Sequence, residues 1–178
     1  MQSPFIIGGK LYLRGLKRSD LEGNYFAWLD DREVTQFMDS GVFPNAMEKM
    51  EDFYRSTVLS HDNAIFAIVD KKTDKHIGNI KLGPINWISR FAPLGIMIGN
   101  KEFWGKGYGT EAIGLVVDYA FNRLNLHKVV AGVISINHGS VKAFQKAGFE
   151  TEGTFKSQFF HNGTYYDSLY LSIVNKNS

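Results

Sequence analysis

Residues 91–124 read FAPLGIMIGNKEFWGKGYGTEAIGLVVDYAFNRL. The run from Phe91 to Ile98 is apolar enough for a central strand. Ala112, Ile113, Val116, Val117, Ala120, Phe121 and Leu124 then recur at helical spacing. The stretch predicts a strand, a glycine-rich turn over residues 100–109, and a helix over residues 110–124. Glycines at 105, 107 and 109 let the backbone approach a ligand closely and adopt positive φ. A helix N-terminus behind them offers unpaired amides and a partial positive charge. Trp104-Gly105-Lys106-Gly107-Tyr108-Gly109-Thr110 is therefore expected to cradle a phosphate or pyrophosphate, with Lys106 adding a charge-assisted contact. The alternative is a tight strand-to-helix turn that binds nothing.

Two familiar phosphate motifs are excluded. No G-x-x-x-x-G-K-[ST] occurs, and glycines spaced two apart do not spell G-x-G-x-x-G. A dinucleotide reading also wants an acidic residue about 20 positions later. The strand there opens His127-Lys128.

Upstream, residues 10–16 alternate and predict a first strand. Ser19 with Glu22 predicts a capping box opening a helix that carries Leu21, Tyr25, Trp28 and Leu29. Asn45 and Glu48 predict a second helix start, with an apolar stripe of Met47, Met50, Phe53, Tyr54 and Val58. Residues 64–69 and 76–82 predict paired strands around a polar turn. Downstream, residues 127–134 predict a β-branched strand. Residues 140–147 predict a short helix closed by Gly148. Residues 149–155 predict a strand. Asn162-Gly163 predicts a hairpin leading to a last strand ending near Ile173. This order gives a mixed, mostly antiparallel central sheet flanked by helices, an α/β (α+β) fold in a single domain over residues 1–178.

The composition is that of an ordinary globular chain: 178 residues, 44 % apolar, 21 % charged, net charge +2. The basic residues form no stripe, so no nucleic-acid partner is expected. No run is long enough to span a bilayer and the first residues do not read as a signal peptide, so a cytoplasmic protein with no membrane partner is expected. The absence of cysteine removes disulfides, thiolate metal sites and a cysteine nucleophile. The histidines at 61, 76, 127, 138 and 161 have no metal-ligand spacing, so no metal is expected. No G-x-S-x-G elbow points to a serine hydrolase.

After the next strand comes Asn137-His138-Gly139-Ser140, then VKAFQKAGF to Phe149. With this second motif the chain resembles the GNAT superfamily of N-acetyltransferases, in the branch of ribosomal-protein N-terminal, spermidine and amino-sugar acetyltransferases. The family's Q/R-x-x-G-x-G/A loop is matched at residues 104–109, with Trp104 in the first place. Its N-x-x-S/A with a following aromatic and G-F is matched at Asn137, Ser140, Phe144, Gly148 and Phe149. The likeness runs from about Leu11 to Ile173.

The resemblance implies a GNAT-like fold and an acetyl-CoA cosubstrate. It implies that the strand at 91–98 is splayed, with backbone at Ile96, Met97 and Ile98 pairing with the pantetheine arm. The amide near Ile98 would stabilise the thioester oxyanion. Amides from Gly105 to Thr110 would hold the pyrophosphate, Asn137 would bond the pantetheine, and Ser140 would lie beside it. Where many relatives carry a tyrosine acid this chain has Phe144, a packing residue without a proton to give; Ser140 or water is then the acid. Asp167 and Glu152 fall on strands that flank the family's acceptor site, where either could orient or deprotonate an amine. The loop between Trp87 and Phe91 could line that site or be a hairpin with packed aromatics, His138 could touch CoA or the substrate or merely sit in the turn, and Glu111 is read as a helix-dipole residue. The implied acceptor is a primary amine: an amino sugar or a protein N-terminus, with a polyamine less favoured because no acidic cluster appears. A CoA-binding module without catalysis is the runner-up, and a homo-oligomer is possible.

Overall fold

Residues 3–176 are described in a computed structural model. Eight strands form one sheet in the order β1-β2-β3-β4-β5-β6-β8-β7. They are β1 (Ile6–Ile7), β2 (Leu11–Gly15), β3 (Ala64–Asp70), β4 (His76–Leu82), β5 (Phe91–Ile98), β6 (Lys128–Ile134), β7 (Glu150–His161) and β8 (Thr164–Val174). Every neighbouring pair is antiparallel except β5 and β6. Two parallel strands need a crossover, and α5 (Tyr108–Asn122) supplies it. The other helices are α1 (Arg18–Leu21), α2 (Asn24–Asp30), α3 (Arg32–Thr35), α4 (Met47–Val58) and α6 (His138–Lys146). The expected mixed, mostly antiparallel sheet with helices is the fold found.

The period-two pattern of the strands sorts their side chains onto two faces. On one face Leu11, Leu13, Ile68, Ile80 and Leu94 pack with Ile113, Val116 and Ala120 of α5. On the other, Tyr12, Ile65, Ala67 and Met97 pack with Leu21, Tyr25, Trp28 and Met50 of α1, α2 and α4.

Three local expectations are corrected. Ser19 does not cap α1: Lys17 is the N-cap and its N–H is accepted by Asp20 at 2.7 Å. Asp20 wins because its carboxylate also forks onto the buried Arg14 guanidinium, with both bonds at 2.7 Å. The second helix start falls at Ala46 rather than Asn45, whose N–H bonds Asp30 instead. Strand β7 runs on to His161, beyond the expected end at Phe155, because pairing with β8 resumes after a bulge between Phe155 and Phe159. The short strand β1 and helix α3 were not anticipated; two and four residues carry no readable period. Asn162 and Gly163 adopt φ of 47° and 83°, as a tight hairpin turn requires.

Candidate active site

The site begins with an unpaired strand edge. β5 pairs with β6 only at Phe91, Ala92 and Pro93, while its pairing with β4 continues from Leu94 to Ile98. The two strands therefore part, and one edge of β5 has no strand partner beyond Pro93. The bond from Gly83 N–H to the Pro93 carbonyl (2.8 Å) fixes the phase of the β4 pairing. In an antiparallel pair backbone groups alternate in direction, so Gly95 and Met97 turn to β4 whereas Leu94, Ile96 and Ile98 turn to the gap. A side chain on Gly78 would collide with the Met97 carbonyl, which agrees with that phase. Of the three backbone positions expected to face the donor, Ile96 and Ile98 do so. Met97 does not: its backbone serves β4 and its side chain is buried among α2 and α4 residues. The Ile98 carbonyl is taken by the Trp104 indole N–H at 2.6 Å, so Trp104 pins the end of β5 and leaves the Ile98 amide as the outward group.

The glycine turn behaves as its composition suggests. Gly105 and Gly107 have φ of 69° and 84°. Gly107 is the N-cap of α5 and supplies no side-chain acceptor, so the first amides of a fifteen-residue helix stay open. Buried or not, such groups seek acceptors, and an anion at this end is favoured. Lys106 does not line the cavity in front of the turn. Its carbonyl instead accepts from Lys10 Nζ at 2.9 Å. Lys142 and Lys146, one helical turn apart on α6, do line that cavity. They were missed because a lysine pair on a short helix reads as a solvated face. Tyr108 also lines it, but its hydroxyl donates to Asp70 at 2.7 Å, and that bond pushes the phenol up to about 12.

On α6 the Asn137 side-chain oxygen accepts the Ser140 N–H at 3.1 Å and is the helix N-cap. Ser140 is thus the capped residue, and its hydroxyl has no protein partner among the described residues. Phe144 is 2 % exposed and packs edge-on against Phe149, with ring centroids 5.0 Å apart.

These elements enclose two cavities. One, of about 470 Å³, runs from the glycine turn along α6. The other, of about 1100 Å³, lies between α2, α4 and the strands β4 to β8. They share Phe37, Met38, Ile96, Met97, Asn137 and Ser140. One cavity suits an extended ligand with a phosphate end, the other a second reactant, and both open on the parted edge of β5.

Several candidates are not brought there. Asp167 lines neither cavity: Lys156 Nζ at 2.8 Å and the Ser157 N–H at 3.0 Å bind its carboxylate and hold it below the usual range. On β8 it alternates with Ser168 and Tyr170, which do face the larger cavity. Glu152 is likewise outside, lowered chiefly by its bonds to Lys128. The loop from Trp87 to Phe91 sits at the far end of β5, where Trp87 bonds Asp62 at 2.8 Å. His138 lines neither cavity. Glu111 accepts the Lys10 N–H at 2.9 Å and fastens the β1–β2 turn to α5.

Comparison with known proteins gives one answer. A probable N-acetyltransferase, YjcK, of Bacillus subtilis (strain 168) is 33 % identical over 174 residues, covering 94 % of this chain and 96 % of the relative. The spermidine N(1)-acetyltransferase of Vibrio cholerae is 32 % identical over 169 residues, covering 94 % and 95 %. A crystal structure of the Vibrio cholerae spermidine N-acetyltransferase with CoA and spermine has a TM-score of 0.84 at 30 % identity, covering 94 % of this chain and 96 % of that one. A dodecameric structure of that enzyme is also similar, at a TM-score of 0.77. The narrower likeness to ribosomal-protein N-terminal acetyltransferases gains no support from these relatives. Residues 10–150 match the acetyltransferase (GNAT) domain, and the chain belongs to that family and is an N-acetyltransferase.

Proposed function

We propose that the chain transfers acetyl from acetyl-CoA to a primary amine by direct attack in a ternary complex. The observation that carries this reading is the meeting of the two cavities at Ile96 and Ser140. The donor's pantetheine arm would add to the open edge of β5 at Ile96 and Ile98 as a peptide adds to a sheet. The first amides of α5, with Lys142 and Lys146, would take the pyrophosphate. The amine loses its proton to solvent, since neither Asp167 nor Glu152 reaches the cavity, and attacks the thioester carbonyl. Charge then develops on the carbonyl oxygen, where the fixed Ile98 amide would stabilise it. The tetrahedral intermediate expels the CoA thiolate while its nitrogen gives up its surplus proton to solvent; the thiolate gains a proton through the unpartnered Ser140 hydroxyl or a water held there, and solvent restores that donor. Asn137 places Ser140 by capping α6.

The acceptor proposed is an amino sugar or a peptide N-terminus. A polyamine is the second reading, favoured by the named relatives. The charged residues of the larger cavity are Lys49, Lys81 and Asp39. Two cations and one rim carboxylate do not suit a polycation. Exposed aromatics on the β7–β8 hairpin, Phe155, Phe160 and Tyr165, support self-association. A thiol-release assay with acetyl-CoA across amino sugars, peptides and spermidine tests the reading. Release with an amino sugar or peptide is expected; release with spermidine alone would refute the acceptor assignment.

A further inference from the structure

Strand β4 forms one wall of the larger cavity, and its alternation brings Asn79 and Lys81 to that wall together. Asn79 is 6 % exposed, and its side-chain nitrogen is buried without a hydrogen-bond partner. The orientation of that amide follows from its neighbour. His76 Nε2 lies 3.0 Å from the Gly78 carbonyl oxygen and 2.9 Å from Asn79 Oδ1. A carbonyl only accepts, so Nε2 carries the proton and donates to both oxygens. Asn79 Oδ1 is thereby occupied, and its NH₂ group is the free end. A buried donor left unmade is costly, and natural sites keep such groups for a ligand or water.

Lys81 repeats the pattern with a charge. It makes no ion pair among the described residues; its ammonium lies over the Phe53 ring, 5.8 Å from the centroid. Burial pushes it below the ordinary lysine value, and no carboxylate offsets that burial. Lys49 of α4, exposed at the rim, adds a second cation to the same cavity. The wall beneath the acceptor therefore presents donors and positive charge. The one carboxylate of the cavity, Asp39, is exposed at its rim.

We infer that the acceptor amine carries an oxyanion, a phosphate or a carboxylate, which Lys81 and the Asn79 amide bind on β4. Lys81 is then the residue that sets acceptor specificity. The inference rests on the amine-acetylation reading and narrows its acceptor class. A neutral amine would leave both donors to water alone, and a polyamine would add like charge to Lys81 and Lys49. A charge-assisted bond to an oxyanion, by contrast, is among the stronger hydrogen bonds available.

The test uses matched acceptors: glucosamine 6-phosphate against glucosamine, a dipeptide against its C-terminal amide, and spermidine. KM and kcat are measured for each with the wild-type chain, Lys81→Gln, Lys81→Glu and Lys81→Arg. The anionic member of at least one pair is expected to have a KM about tenfold or more below its neutral partner. Which pair responds distinguishes phosphate from carboxylate. Lys81→Gln should raise that KM and erase the difference while kcat for the anionic acceptor changes little. Lys81→Arg should keep the preference, and Lys81→Glu should reverse it in favour of spermidine. Donor KM and thermal midpoint, followed in every variant, report folding. Equal KM within both pairs, or an anionic preference that survives Lys81→Glu, would overturn the inference and leave amine acetylation standing. Absence of amine-dependent thiol release with every acceptor tested would overturn both.

Discussion

Gly109→Ala is expected to make the protein more stable and worse at binding its donor. Gly109 is the second residue of α5, and its φ is not positive. A Cβ there would lie 3.9 Å from Ala143 Cβ and 4.0 Å from Ile96 Cδ1, which is ordinary contact. Nothing in the fold has to move. Alanine is favoured over glycine within a helix by about 0.5–1 kcal/mol, with the lower figure apt this close to the end. Half a kcal/mol corresponds to a rise of roughly 1–2 °C in Tm for a chain of this size. The same methyl would stand between β5 and α6, in the gap proposed for the pantetheine arm. A loss of about 1.4 kcal/mol there is a tenfold rise in donor KM. Steady-state kinetics with acetyl-CoA varied, beside a thermal melt, read both quantities. A folded variant with unchanged donor KM would show that the donor does not run between Ile96 and Ala143. A lowered Tm would show that the contact at Gly109 is tighter than its neighbours allow. Gly107 is a poorer choice, because a side chain at φ of 84° is strained whatever the ligand does.

The pair Ser140→Ala and Asn137→Ala should separate two roles on α6. The first should lower kcat with little change in donor KM or Tm, because the cap is made by Asn137 Oδ1 to the Ser140 backbone. The second should cost about 1 kcal/mol of stability through loss of the cap. Unaltered kcat in Ser140→Ala would leave water as the proton donor. His76 gives a pH prediction. Burial, its largest influence, holds the imidazole below the ordinary value of 6.5. The unfolded chain therefore binds a proton first as pH falls, so this contribution to stability is complete above pH 6.5 and is lost as pH drops toward the folded value. Urea unfolding across that window should show the slope in the wild-type chain and a flatter one in His76→Gln; equal slopes would refute the assignment.

The sequence alone determined the elements whose signals are local. The strand at 91–98, the glycine turn and the helix behind it follow from short-range spacing; the strand coincides with β5 at both ends, while α5 starts and stops two residues before the expected bounds. Positive φ at Gly105 and Gly107 and the Asn162-Gly163 turn follow from what other side chains cannot adopt. Phe144 as a packing residue was legible because an aromatic without a proton has little else to do there. Tertiary structure alone decided what depends on direction and distance. Met97 lies between two gap-facing residues, and only its pairing with Asn79 turns its backbone to β4. Asp167 sits on the expected strand, yet a bulge in β7 delivers Lys156 and Ser157 to its carboxylate and keeps it from the cavity. Lys142 and Lys146 read as a solvated face until α6 is laid beside the glycine turn. Asn79 and Lys81 carry no motif at all. Their meaning comes from β4 walling a cavity that α2, α4 and the outer strands close, and spacing along a chain carries no information about which side chain is left without a partner.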